Sequence, residues 1–81
     1  MNRVKYAICI LKAFSEVSYV TMKDADDVAR KMGLNPDELS RTSKFRTFRD
    51  LEELGIIEKL YEYSKTYKLT EKGKELLKVK E

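Results

Sequence analysis

Apolar side chains near the start of the chain recur at helical spacing. Val4, Ala7, Ile8, Leu11 and Phe14 fall on one face of a helix predicted from about Asn2 to Val17. Asn2 has the side chain of an N-cap. Tyr6, Cys9, Ile10 and Ala13 make the rest of this helix apolar as well. A helix that is apolar on most sides is buried on most sides. The surplus apolar face therefore predicts either a partner surface or a central helix enclosed by its own domain.

Ser18-Tyr19-Val20 is a short extended linker, suited to one strand pairing with a later hairpin. Thr21, with Asp24 three residues on, approximates a capping box for a second helix over Met22–Met32. Ala25, Val28, Ala29 and Met32 are its inward positions, and Gly33 stops it with a left-handed cap. From Leu34 to Leu39 the pattern is a turn with a helical stub, in which Pro36 follows Asn35 as a first helical residue and Leu34 and Leu39 reach inward. A third helix starts near Ser40 or Thr42, ends at Leu54 before Gly55, and directs Phe45, Phe48 and Leu51 to the core.

Ile56 to Leu69 alternates and is rich in Tyr, Ile and Thr, as strands are. A turn centred on Ser64-Lys65 would pair Leu60 with Leu69 and Glu62 with Tyr67. The tip lacks an Asn-Gly pair, so a loop longer than the tight two-residue turn is expected. Thr70 caps a last helix whose Leu76, Leu77 and Val79 return to the core.

The 81 residues predict one domain, 1–81, with a limited core. Small domains often gain stability by pairing with a copy of themselves. The single Cys9 excludes an intramolecular disulfide, and with no His there is no zinc set. No cofactor is implied. The longest apolar run, Tyr6–Leu11, is far below the roughly 20 residues that span a bilayer. No cleavage site follows it, and a cytoplasmic protein is expected.

Net charge is +3, and its distribution matters more than its size. Thr21–Leu39 is acidic, with Asp24, Asp26, Asp27, Asp37 and Glu38 against three cations. Ser40–Arg49 carries Arg41, Lys44, Arg46 and Arg49 with no acid at all.

Three segments carry a resemblance. Asp27-Val-Ala-Arg-Lys-Met-Gly33 is similar to the second helix and turn of a helix-turn-helix. Phe48-Arg-Asp-Leu-Glu-Glu-Leu-Gly-Ile-Ile57 resembles the end of a recognition helix entering a first wing strand. Tyr67-Lys-Leu-Thr-Glu-Lys-Gly-Lys-Glu-Leu-Leu77 resembles a wing strand followed by a closing helix. In order and spacing they look like the winged helix-turn-helix DNA-binding family, and in size like its small archaeal and archaeal-virus transcriptional regulators. The fold implied is mainly α with a small β-hairpin (α+β). Its order is helix, short strand, helix, helix, strand, strand, helix. The Leu34–Leu39 turn is longer than the family's usual one.

With Phe45, Phe48 and Leu51 inward, the opposite side of the third helix carries Thr42, Ser43, Arg46, Arg49 and Asp50, flanked by Lys44 and Thr47. The major groove of DNA admits one helix, and residues near a recognition helix's N-terminus face base edges. Arg46 is the first candidate for base reading, because a guanidinium bonds guanine O6 and N7 together. Thr42, Ser43 and Thr47 are candidate base or phosphate donors. Arg41, Lys44 and Arg49 are candidate phosphate contacts, which position without reading sequence. The competing reading is a solvated helix face.

The resemblance implies a wing that touches the minor groove or backbone, here Tyr61, Tyr63, Lys65 and Lys68. A charged hairpin that merely resists edge aggregation is the alternative. Tyr61 and Tyr63 could also stack on unpaired bases, a minority reading.

Catalysis has little to build on: there is no His, and Asp26-Asp27 and Glu52-Glu53 diverge on their helices. Gly33, Gly55 and Gly73 lie near helix ends and form no phosphate loop. The leading function is sequence-specific binding of double-stranded DNA by a homodimeric transcriptional regulator, not an enzyme. The dimer interface is expected at Tyr6, Cys9, Ile10, Ala13 and Val79. The alternative is a winged-helix protein-interaction module, an adaptor or assembly subunit that never touches DNA.

Overall fold

The computed structural model describes residues 1–78 and contains four α-helices and one two-stranded antiparallel hairpin. In chain order these are α1 (Arg3–Ala13), α2 (Met22–Lys31), a 3-10 turn (Pro36–Glu38), α3 (Arg41–Glu53), β1 (Ile57–Lys59), β2 (Tyr67–Leu69) and α4 (Glu71–Leu77). The expected strand at Ser18–Val20 shrinks to a single bridge, in which Val20 and Tyr67 exchange two backbone hydrogen bonds of 2.9 Å. The order therefore departs from the expected one in having no strand between α1 and α2, while the 3-10 turn falls where a helical stub was expected within Leu34–Leu39.

The caps follow the side chains. Asn2 accepts from the Lys5 amide, Thr21 and Asp24 form a reciprocal capping box, and Asn35 caps the 3-10 turn with Pro36 at its start. Ser40 caps α3 and Thr70 caps α4. Gly33 and Gly55 both take φ of +76°, the left-handed conformation that lets the chain leave a helix without a Cβ penalty. α1 ends four residues before the expected Val17, in a turn capped by Phe14.

The core presents the main correction to α1. Tyr6, Cys9, Ile10 and Ala13 are its buried side, joined to Phe14, Val20, Ala25, Val28, Ala29, Phe48, Leu51, Ile57, Tyr67 and Leu69. Val4 is 71% exposed and Ile8 51% exposed, so these two members of the expected stripe face solvent, while Ala7 and Leu11 lie at the core's edge and Phe14 inside it. Both stripes have helical spacing, and hydrophobicity alone does not choose between them. Small residues do. Cys9 and Ala13 on α1 join Ala25 and Ala29 on α2 in the same core, which lets the two helices pack closely. Tyr6 adds a polar reason: its hydroxyl donates to Asp26 on α2 at 2.7 Å. The dimer set at Tyr6, Cys9, Ile10 and Ala13 is thus consumed by the chain's own core, and Val79 lies outside the described residues. Met32, also expected inward, and Leu76 are exposed.

The hairpin differs in register. Ile57 pairs with Leu69, Glu58 with Lys68 and Lys59 with Tyr67, three residues away from the expected pairing of Leu60 with Leu69. An odd slip exchanges the two faces of a strand. The expected register would put Glu58 and Glu62 beside Leu60 on the core side, whereas the observed one buries Ile57 against Leu69. The loop beyond is longer than a tight turn, as expected. The Ser64 hydroxyl accepts from the Thr66 amide at 2.9 Å and donates to the Thr66 carbonyl at 3.1 Å.

α4 closes the base of this hairpin. Gly73 is buried there, and a Cβ at that position would lie 2.1 Å from the Ile56 carbonyl oxygen. The same carbonyl accepts from the Thr70 amide at 3.1 Å. A glycine is therefore required by the close approach of α4 to the start of β1.

Burial pushes the Tyr6 hydroxyl pKa upward, its hydrogen bond to Asp26 raises it further, and burial also raises Tyr67 and Cys9. These groups keep their protons in the folded chain after the unfolded chain has begun to lose them. The stability they contribute is complete below the unfolded values, about 8.5 for Cys and 10 for Tyr, and is lost as pH rises above them. Urea denaturation between pH 8 and pH 11 should give an unfolding free energy that falls with pH. In Tyr6→Phe the slope above pH 10 should be shallower by up to about 1.4 kcal/mol per pH unit.

Candidate nucleic-acid interface

α3 packs against α1 and the start of β1, and is joined to α2 by an ion pair between Lys44 and Asp26. Its buried residues are Lys44, Thr47, Phe48 and Leu51. Phe45, expected to share the core, is only half-buried. With 100° per residue, the helix is rotated by roughly 50° from the expected orientation, toward the Lys44 and Thr47 side.

Lys44 causes this rotation. It is 7% exposed, and its ammonium lies 3.1 Å from Asp26 Oδ2. The other Asp26 oxygen accepts from Tyr6, and the Lys44 ammonium lies 5.9 Å from the centre of the Tyr6 ring. The carboxylate is thus bonded from α1 and α3 at once. Thr47 is buried beside it, donating to the Ser43 carbonyl at 2.9 Å and accepting from Arg3 Nε at 3.3 Å. Lys44 and Thr47 therefore leave the set of candidate DNA contacts: a side chain enclosed on its own ion pair does not reach a phosphate.

The rotation leaves Thr42, Arg46, Arg49 and Glu53 along the outward line of α3, with Arg41 and Ser43 at its N-terminal end. Arg46 is exposed and has no carboxylate partner among the described residues. Arg49 is exposed but paired to Glu53, Nε to Oε1 at 3.2 Å. Asp50 is engaged by Arg3 from α1. Of the carboxylates that follow the basic half of the helix, Asp50 and Glu53 are thus paired with cations among the described residues, and the half-buried Glu52 is not.

Next to α3, the hairpin projects Tyr61 and Tyr63 into solvent, Tyr63 at 89% exposure. Lys65 turns back toward α3, its ammonium 5.8 Å from the Phe45 ring centre, while Arg41 approaches the same ring at 5.6 Å. Lys68 on β2 is half-buried and pairs with Glu58 across the strands at 3.3 Å. Of the wing candidates, Lys65 is brought to α3, Tyr61 and Tyr63 stand apart at the tip, and Lys68 belongs to a cross-strand pair.

Sequence reasoning missed the two residues that orient this surface. Asp26 was visible as an acid on α2, and Arg3 as a cation on α1, but neither spacing nor composition signals partners that lie 18 residues away for Asp26 and 44 and 47 away for Arg3. Among the described residues there is no cluster of acids or cysteine suited to a metal ion, and no helix long and apolar enough to cross a membrane. Comparison with protein families, curated proteins and solved structures finds no match to this chain.

Removing one partner of a buried ion pair leaves an uncompensated charge, so Lys44→Ala should lower the unfolding free energy by roughly 3–5 kcal/mol. The triple change Lys44→Met, Asp26→Leu, Tyr6→Phe removes both charges and the hydroxyl that donates to Asp26, and should recover much of that loss in urea denaturation.

Proposed function

We propose that this chain is a winged-helix domain that binds double-stranded DNA in a sequence-dependent way, as a transcriptional regulator acting as a homodimer. The observation that carries the reading is the outward line of α3. It presents Arg46 near its middle and Arg41 and Thr42 at its N-terminal end, while Arg3 pairs with Asp50 and Arg49 with Glu53. A helix of this length is about 20 Å long and suits one pass along a major groove. Arg46 reads base edges, with Thr42 and Ser43 as shorter donors. Arg41 and Lys65 meet phosphates on either side. Arg49 joins them on exchanging Glu53 for a phosphate. The hairpin serves as the wing, with Tyr61 and Tyr63 against the sugar-phosphate backbone.

A protein-interaction role finds its support in a different place. Ile8 on α1 is large, apolar and exposed and lines one groove with the half-buried Leu11 and Leu77; Val4 on α1 and Leu76 on α4 are exposed as well. Here this apolar patch is assigned to the homodimer. It replaces the enclosed residues first expected there.

Fluorescence anisotropy with sequences selected from a random DNA library tests the DNA reading. Affinity should fall steeply with salt, as several phosphate contacts require. Arg46→Ala should cost about 1–3 kcal/mol on the preferred sequence and narrow its margin over others. Arg41→Ala should weaken all sequences alike and reduce the salt slope by about 1. Parent-like binding by both variants removes α3 from the interface. For the dimer, sedimentation should show Ile8→Glu shifted to monomer relative to the parent. A parent that stays monomeric at high concentration ends that part of the proposal.

A further inference from the structure

Where α2 begins, the first half of α3 and the returning strand of the hairpin enclose a groove of about 190 Å³. Its walls are apolar: Met22, the half-buried Phe45, and the rings of Phe48 and Tyr67, which stack at 4.8 Å. Three cations line it as well, Lys23, Arg41 and Lys65, and no carboxylate does. None of the three forms an ion pair among the described residues. Arg41 and Lys65 instead approach one aromatic ring, Phe45, at 5.6 and 5.8 Å.

Two cations drawn to one ring repel each other, and the ring quadrupole offsets this only weakly. An anion placed between them removes the repulsion. The apolar wall beneath favours a ligand that continues from its charged end into a flat, hydrophobic body. An apolar cavity of about 150 Å³ accepts benzene, so this groove has room for one substituted ring. We infer that the groove binds a small aromatic acid, a single ring bearing a carboxylate or phosphate. The ring packs against Phe45 and Met22, and the acid group bridges Arg41 and Lys65 with Lys23 nearby. Arg41 and Lys65 are also the proposed phosphate contacts. On that DNA reading, a bound acid competes with DNA and makes the groove a regulatory site.

Phenyl phosphate is the probe, followed by amide chemical shifts of the full chain. Shifts should concentrate at Lys23, Arg41, Phe45 and Lys65. Phenyl phosphate should bind at least about tenfold more tightly than inorganic phosphate, the margin expected from an aromatic contact with its buried area. Lys65→Ala, at an exposed loop position, should weaken it about fivefold, the scale of one exposed charge pair. Phe45→Ala, confirmed folded by its spectrum, should abolish the preference over inorganic phosphate. Equal binding of the two phosphates, shifts located elsewhere, or unchanged affinity in both variants overturns the site. Competition with DNA is measured separately by anisotropy. Phenyl phosphate binding without any DNA binding supports the groove and removes the DNA reading. DNA binding without phenyl phosphate binding does the reverse.

Discussion

The carboxylate of Asp26 joins three helices. Tyr6 donates to one of its oxygens from α1, and Lys44 holds the other from α3. Each ion would be costly alone in this interior, and their attraction offsets that cost only because the pairing is close and Tyr6 adds a hydrogen bond. No buried side-chain nitrogen or oxygen among the described residues lacks a hydrogen-bond partner. A core of alanines, cysteine and phenylalanines tolerates several rotations of a helix about its axis. A lysine that must meet one carboxylate tolerates few. The ion pair therefore contributes orientation as much as stability, and the outward line of α3 is a consequence of it. The turn that brings Lys44 inward also brings Phe45 toward the surface, where Arg41 and Lys65 meet it.

Local features were legible in the sequence. Asn2, Thr21 with Asp24, Asn35 before Pro36, and Thr70 cap where their side chains predict, and Gly33 and Gly55 end the helices before them. These depend on interactions within a few residues. What failed depends on long-range partners. α1 has two stripes of equal helical quality, and the choice lies with α2, whose small residues and Asp26 accept only one of them. The hairpin register followed from its turn in the expected alignment, but it is set by Ile57, which is buried in the core opposite Leu69. Lys44 looked like every other cation in the acid-free run, because nothing nearby in sequence marks its carboxylate partner eighteen residues earlier.

Charge counting along the chain also misjudged where positive potential would remain. The run from Ser40 to Arg49 holds four cations. Lys44 is neutralised within the core, and Arg49 is engaged by Glu53 one turn later. Arg3 compensates from outside the run by covering Asp50. The field over α3 is thus narrower than the sequence implies and is centred on Arg41 and Arg46, with Lys65 added from the hairpin. Since exposed charges are screened within about 8–10 Å at ordinary salt, this local arrangement governs an approaching anion more than the net charge does.

The hairpin's attachment explains why Lys65 can belong to that arrangement at all. Two short strands would be marginal alone. Here the returning strand is bonded on both edges, to β1 and to Val20, while α4 presses on the Ile56 carbonyl through Gly73. Tyr67 stacks on Phe48, which ties the strand to α3 by a side chain as well as a backbone. From that anchored strand, Lys65 is two residues away, whereas Tyr61 and Tyr63 belong to the outer part of the loop. The position of Lys65 relative to Arg41 is therefore set by the same core that orients α3. The two tyrosines extend beyond that support, so their contribution to any interface depends on contacts the partner supplies.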